Sequence, residues 1–423
     1  MRVGIIGGGA SGLAAAWLLD KECDVVLFEQ QDYLGGHART LYIKKDTIDI
    51  SIETGFEFFN AWLFPYFNRL LTRLNVPIYN FPLTYTFYTT DGRKRICLPP
   101  VRPDVPLWHT ICIQTILDLL QFKYVMIKGK KIVKCGDTQT TLQQFVDNIM
   151  VTQSFKNNFF YPLLSSGWGV TIDEFKKFSA YDIIKWFGTN TGGVCPQQWS
   201  EVVGGTSVYI QALARQLESA KIKLLASIKH ISFEQNVYTI VQDDGTTYQF
   251  DHLVIATNPQ QASKLLQSLD CAVNARAILD QIESFKTVIA VHGDVRLMPK
   301  NKLDWSVVNC SFNGQRSALT INKPWKNSGN IFRSWINNHD QIPLIEPLYA
   351  IEEFYHQKIT PNFFKAQKEL KEIQGDNNLW FVGHYMHDLD SHESAIVSAL
   401  NVVQRLAPHS DRLAKMMSSF LKN

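Results

Sequence analysis

The chain has 423 residues, which at roughly 100–200 residues per domain predicts two or three domains, or one large domain with an insertion. Hydrophobic residues make 45%, aromatic residues 12% and charged residues only 19%, which excludes a disordered chain and favours large apolar interior surfaces. With 42 basic and 39 acidic side chains the net charge is +3, too small to imply a nucleic-acid partner.

The elements follow in chain order. Val3 to Ile6 reads as a short buried parallel strand, Gly7 to Gly12 as a tight turn, Leu13 to Asp20 as a helix and Asp24 to Glu29 as a second strand ending in an acid. Residues 62–75 have helical periodicity and stop near Pro77. Residues 78–98 alternate and turn at Asp91-Gly92, predicting a hairpin. From about 107 to 190 the apolar spacing is mostly helical. Its most apolar stretch, Leu107 to Ile127, contains His109, Gln114, Asp118, Gln121 and Lys123, so no transmembrane helix is expected. Gly204-Gly205-Thr206 opens a helix through Leu217. Strands return over Lys221 to Ala256, with a hairpin turning at Asp243-Asp244-Gly245, and again over residues 284–322 and Leu379 to Val382. A helix over 393–406 precedes a basic amphipathic tail, Arg412 to Lys422, expected as a solvated C-terminal helix, with peripheral contact to an anionic membrane face as the alternative.

Seven cysteines, at 23, 97, 112, 135, 195, 271 and 310, show no CxxC and no paired spacing, which fits a reduced, cytoplasmic setting. No signal peptide is expected, because a core strand starts at Arg2.

Two motifs carry chemistry. Gly7-x-Gly9-x-x-Gly12 lies between a strand and a helix, and Glu29 follows 22 residues after Gly7 at the end of the next strand. The glycines allow a tight turn, a close approach to a pyrophosphate at the helix N-terminus (Ala10, Ser11) and close helix packing, while Glu29 accepts hydrogen bonds from a ribose. Leu34-Gly35-Gly36-His37-Ala38-Arg39-Thr40 then brings a second glycine turn and an arginine beside a phosphate. These features predict dinucleotide binding rather than a plain glycine-rich turn, without separating FAD from NAD.

Gly7–Gly12, Glu29 and Gly35-Gly36…Thr40 resemble the flavin amine oxidase superfamily, which includes monoamine and polyamine oxidases, protoporphyrinogen oxidase and phytoene desaturases. His37, the block Glu53-Thr54-Gly55-Phe56-Glu57-Phe58-Phe59-Asn60, Val203 to Thr206, Ala256 to Pro259 and Val291 to Asp294 look most like a bacterial and plant branch of NAD/FAD-binding amine-oxidase-like proteins. The resemblance implies an α/β fold: a glutathione-reductase-like, Rossmann-type FAD-binding domain (1–80, 200–275 and 375–423) with an inserted α+β substrate domain (81–199 and 276–374). It also implies that Gly7, Gly9, Gly12 and Glu29 hold the ADP half of FAD. Gly36, His37, Arg39 and Thr40 would line the pyrophosphate and flavin, with Gly55 and Phe56 beside the isoalloxazine. Ile228 would meet the adenine, and Gly383 the ribitol. Glu393, Ser394 and Ala395 would open a helix whose N-terminus faces the flavin pyrimidine oxygen, stabilising the charge of the reduced form.

Lys286 looks like the oxidase lysine that holds a water at the flavin, and Tyr385 like an aromatic wall over it. With no cysteine near the last strand, the resemblance implies non-covalent FAD. This chain departs from the branch's usual pattern at 384–395, where it reads His-Tyr-Met-His-Asp-Leu-Asp-Ser-His-Glu-Ser-Ala, so the loop expected to face the flavin is altered. The spacing of His384, His387 and His392 with Asp388 and Asp390 matches no common metal signature, and no metal is expected. Trp62, Trp168, Trp305 and Trp335 read as core residues, and His292 and Asp294 as structural groups. The expectation is an FAD-dependent oxidoreductase passing a hydride from a small hydrophobic, lipid-like or isoprenoid-like substrate to flavin, with oxygen or another acceptor reoxidising it. The alternatives are a flavin amine oxidase and a non-catalytic flavin-fold binding protein.

Overall fold

Val3, Ile5, Val25, Leu27, Leu253 and Val254 are fully buried, as strands covered on both faces must be. In a computed structural model, which describes residues 1–45, 48–103, 105–188, 197–326, 329–336 and 345–418, they form the centre of a parallel sheet. Its strands are β1 (Arg2–Ile6), β2 (Asp24–Phe28), β9 (Lys221–Lys223), β13 (His252–Ile255) and β19 (Leu379–Phe381), in the order β19-β13-β1-β2-β9. The helix α1 (Ala10–Leu19) is buried over its whole length. Gly7 has φ +113°, and a Cβ on Gly12 would lie 1.9 Å from Gly7 O, so both glycines are obligatory for this strand–turn–helix corner.

Between β2 and β9 run two further pairs. β3 (Thr40–Lys45) and β4 (Ile48–Glu53) form an antiparallel hairpin, and β5 (Ile78–Pro82) pairs with β8 (Gln198–Val202). β10 (Ile228–Glu234), β11 (Val237–Gln242) and β12 (Thr247–Phe250) make an antiparallel meander, turning at Gly245 as its sequence predicts. A seven-stranded sheet has the order β18-β14-β17-β16-β15-β6-β7, antiparallel except between β15 and β6. Its members are β6 (Tyr85–Thr89), β7 (Arg95–Leu98), β14 (Ser284–His292), β15 (Val308–Phe312), β16 (Ser317–Asn322), β17 (Phe332–Trp335) and β18 (Leu348–Gln357). The predicted hairpin is thus β6–β7, while β5 leaves to pair with β8.

The longer helices are α2 (Pro65–Arg73), α3 (Ile113–Cys135), α4 (Ala180–Gly188), α5 (Ser207–Arg215), α6 (Pro361–Glu372), α7 (His392–Leu406) and α8 (Asp411–Met417). No helix among the described residues is long and apolar enough to cross a membrane. The C-terminal tail departs from expectation. Leu413 and Met416 are buried, and Arg412 bonds Trp17 O and Asp20, so α8 spends its apolar face inside the protein, among α1, α2 and α7. Residues 419–423, and Cys195, lie outside the described residues.

A buried ion network fastens the hairpin β3–β4 and the segment after it to the large sheet. Lys323 Nζ lies 2.6 Å from Glu201 Oε2 and pairs with Glu57. Arg333 Nη1 donates to Glu57 Oε2 at 2.6 Å and to Gly55 O at 3.0 Å, and Lys326 donates to Ser51 O at 2.7 Å. Burial opposes the charge on Lys323, but Glu57, Glu201 and Glu53 outweigh it and hold the ammonium above its ordinary range. Removing one member of such a network strands its partners. Lys323→Met should therefore destabilise the protein by about 3–5 kcal/mol in denaturant unfolding; a loss below about 1 kcal/mol, as for an exposed pair, would show that the network is not coupled.

Candidate active site

Because β1, β2, β13 and β19 are parallel, their C-terminal ends share one edge, and the loops leaving it are Gly7–Gly9, Glu29, Ala256-Thr257 and Gly383. The second glycine turn returns to the first, for the Gly35 N–H donates to Gly8 O at 2.9 Å. A Cβ at Gly9 would meet nothing within 4 Å, and one at Gly36 would meet only Gly9 Cα, at 3.4 Å. Gly9 is the N-cap of α1 and no side chain caps that helix, leaving the N–H groups of Ala10, Ser11 and Gly12 for an anion. Glu29 is held in place by the N–H groups of Gly8, at 2.7 Å, and Gln31, at 2.8 Å. Ala226 N–H donates to Glu29 O, bringing Ile228 at the start of β10 to the same edge. Thr257 Oγ1 is buried with no hydrogen-bond partner among the described residues. The open cradle, the free helix N-terminus and the orphaned hydroxyl fit a dinucleotide pyrophosphate.

Beyond the cradle lies a cluster of half-buried rings. His37 stacks on His356 with centroids 5.3 Å apart and meets His384 edge-on at 6.2 Å. His384 Nδ1 pairs with Asp390. His392, the first residue of α7, stacks on Phe56 at 4.0 Å and bonds Tyr209 Oη at 2.7 Å. Burial pushes His37 and His392 down to about 3, so both rings are neutral at pH 7. Burial opposes the charge on Asp390, but His384, through its charge and its hydrogen bond, outweighs it and holds the carboxyl below its ordinary range. No group of three or more metal-ligating side chains with metal geometry occurs among the described residues.

A cavity of about 310 Å³ opens beside this cluster. Its wall is aromatic, with Trp168, Trp186, Trp199 and Trp335 among Tyr85, Phe187 and Phe285, and its ionisable groups are His356 and Asp390. The loop 384–390 is gripped by α4, where Lys185 Nζ and Tyr181 Oη bond Asp388 at 2.6 Å and 2.8 Å.

Several expected residues serve other purposes. Lys286 is not at the cleft. It pairs in register with Tyr355 while its neighbour Phe285 pairs with His356, so strand alternation turns Lys286 outwards to an exposed ion pair with Glu353. Tyr385 is fully buried beneath Gly383, where a Cβ would lie 2.6 Å from its ring, and walls no cleft. The Thr40 hydroxyl donates to Glu53 and accepts from the Ser207 N–H, which turns it away from a phosphate. Glu393 caps α2, accepting from the Tyr66 and Phe67 N–H groups at 2.8 Å. Ser394 and Ala395 bond back to Ser391 and Leu389, so the N–H groups left at that helix start belong to His392 and Glu393. The Arg39 guanidinium stacks on Tyr33 at 3.8 Å, with Nε 3.6 Å from Glu352. Trp62 is exposed, whereas Trp168 and Trp335 line the cavity, and His292 and Asp294 bond each other inside the large sheet. His356, Trp186, Trp199 and Phe285 carried no sequence signal as site residues.

The sequence model for flavin-containing amine oxidoreductases matches residues 10–296. The chain belongs to that family. No curated protein matches the sequence. The fold is similar to that of a conjugated-linoleic-acid-producing fatty acid isomerase from P. acnes, at TM-score 0.71 and 15% identity over 96% of this chain and 98% of that one. It is also similar to cyclohexylamine oxidase from Brevibacterium oxydans IH-35A (0.66, 15%, 96% and 99%) and to putrescine oxidase bound to putrescine (0.67, 13%, 97% and 100%). The family member described here is an FAD-dependent oxidoreductase with a Rossmann-type FAD-binding fold.

Burial pushes the Glu393 carboxyl up from 4.5 to about 7, against the bonds from Tyr66 and Phe67. The folded state therefore holds this proton more tightly than the unfolded chain, and the resulting stability, complete below 4.5, is lost as pH rises through about 7. Between pH 4.5 and 8 the wild type should lose up to about 3 kcal/mol relative to Glu393→Gln in urea unfolding; parallel pH profiles would refute the assignment.

Proposed function

We propose that this oxidoreductase acts on a hydrophobic, lipid-like or isoprenoid-like substrate, by desaturation or oxidation. The aromatic cavity carries this reading. Its wall offers ring faces and edges to an apolar body, and its two ionisable side chains sit together beside the histidine cluster. At about 310 Å³ it lies at the small end of ligand cavities and suits one segment of a chain or a single ring rather than a whole lipid.

Bound FAD supplies a two-electron acceptor for the hydride. The cofactor-facing residues of this reading are Gly7, Gly9, Ala10, Ser11, Gly12 and Glu29 for the ADP half, with the backbone near Ile228. Gly35, Gly36 and His37 continue along the pyrophosphate, and Gly55, Phe56, Gly383 and the start of α7 lie at the ring end. His37 and His392 present neutral rings and so add no charge to that end. His384 orients Asp390, and the ionised carboxylate offers a fixed negative charge at the cavity's polar end, where positive charge develops on a carbon losing hydride.

A second reading has its own observation. An ionised Asp390 at the end of an aromatic box is also a receptor for an ammonium, through charge and ring faces together. Anaerobic bleaching of the flavin spectrum by neutral acyl or isoprenoid compounds and by hydrophobic amines separates the two. The first reading expects bleaching by neutral substrates, with Asp390→Asn lowering kcat more than it raises KM. Bleaching by amines alone, with Asp390→Asn raising KM by about tenfold or more, would replace it by the second.

A further inference from the structure

Among the described residues, one side of the longest helix has no apolar partner. In α3, Ile113, Ile116, Leu117 and Leu120 are exposed along a single face at the spacing of three and four, and Leu107 and Trp108, in the short turn before the helix, are exposed as well. Trp108 and Ile113 are each 79% exposed and Leu120 is 60% exposed. A contiguous apolar patch of this kind is not ordinary surface. Farther along the same helix the exposed residues are mainly basic, Lys123, Lys128, Lys130, Lys131 and Lys134, with Ile127 exposed among them. The helix's one acid, Asp118, is fully buried and neutralised by Lys94 at 2.8 Å.

We propose that this face docks the protein on an anionic lipid membrane. The first two turns and Trp108 would enter the headgroup region, while the lysines along the remaining turns would lie at phosphate level. The order of the two zones suits a helix entering the interface at a tilt with its N-terminal end deeper, since the apolar and basic zones together extend over about 30 Å. Trp108 combines a large apolar ring with one N–H, the combination enriched at membrane interfaces. The unbroken positive charge beyond the patch selects lipid over a second copy of the same face, which would bring like charges together. The position of the helix gives docking a purpose. Gly129 allows α3 to approach α4 so closely that a Cβ there would lie 2.5 Å from Ile184, and α4 supplies Trp186 and Phe187 to the cavity wall. The inference rests on this surface and not on the substrate reading, and its test involves no turnover.

The full chain, loaded with FAD, is sedimented with vesicles of phosphatidylglycerol and phosphatidylcholine, and with phosphatidylcholine alone. Binding to the anionic vesicles is expected, weakening with salt. The triple variant Ile113→Gln, Leu117→Gln, Leu120→Gln should lose roughly tenfold or more in partitioning. Lys130→Gln with Lys131→Gln should lose about fivefold per lysine. These exposed positions leave the core intact, and unchanged thermal unfolding of both variants confirms it. Absence of vesicle binding, or equal binding by the triple variant, would overturn the proposal. So would a wild-type dimer that the triple variant converts to monomer, since the face would then belong to a second copy.

Discussion

The cleft depends on charges that the protein has removed from water. Glu57, Glu201, Lys323 and Arg333 lie almost wholly buried and satisfy one another across three separate pieces of chain: the segment after β4, β8, and the region from β16 to β17. Each such charge is costly to bury, and the cost is recovered only when all partners are in place. The network therefore acts as a positional lock. It holds Gly55 and Phe56, which sit beside the histidine cluster, against the strand that carries Arg333. Arg333 in turn lies 4.2 Å over the ring of Trp335 in the cavity wall. The segment beside the histidine cluster and the aromatic cavity wall are thereby tied by one shared group of ion pairs.

The two halves of the cleft have different chemistry. The glycine cradle offers backbone N–H groups and a helix terminus, which suit a phosphate group, and spends almost no side chains on it. The cavity offers side chains nearly alone, and these are rings. Between them lie His37, His356, His384 and His392, with Asp390 as the carboxylate among them. A neutral imidazole can stack, donate or accept without adding a fixed charge, which lets His37 and His392 share a small volume with other rings.

The first strand–turn–helix–strand unit was legible because its constraints are local: glycines at fixed spacing, a buried apolar strand on each side, and Glu29 at the second strand's end. The meander over β10–β12 was legible for the same reason, through its turn at Asp243 to Gly245. The cavity was not, because Tyr85, Trp168, Phe285, Trp335, His356 and Asp390 meet only after the seven-stranded sheet and the helical block have closed around them. Strand β18 escaped notice because its polar residues, Glu352, Glu353 and His356, give no buried run. Lys286 shows how little separates a right from a wrong assignment in a strand. Period-2 alternation sends Phe285 to the cavity and its neighbour to solvent. Tyr385 failed differently: a loop carries no periodicity from which burial can be read.

The order of the parallel sheet also bears on how the chain is made. Strand β1 sits between β2, which follows it at once, and β13, which begins at His252. Synthesis at about 5–20 residues per second separates these strands by roughly 10–50 s. Over that interval the first βαβ unit has been made while one edge of β1 has no neighbour, with the backbone N–H and C=O groups of Val3 to Ile6 open to whatever strand is near. Whatever protects that edge during translation guards the step on which the remaining architecture waits.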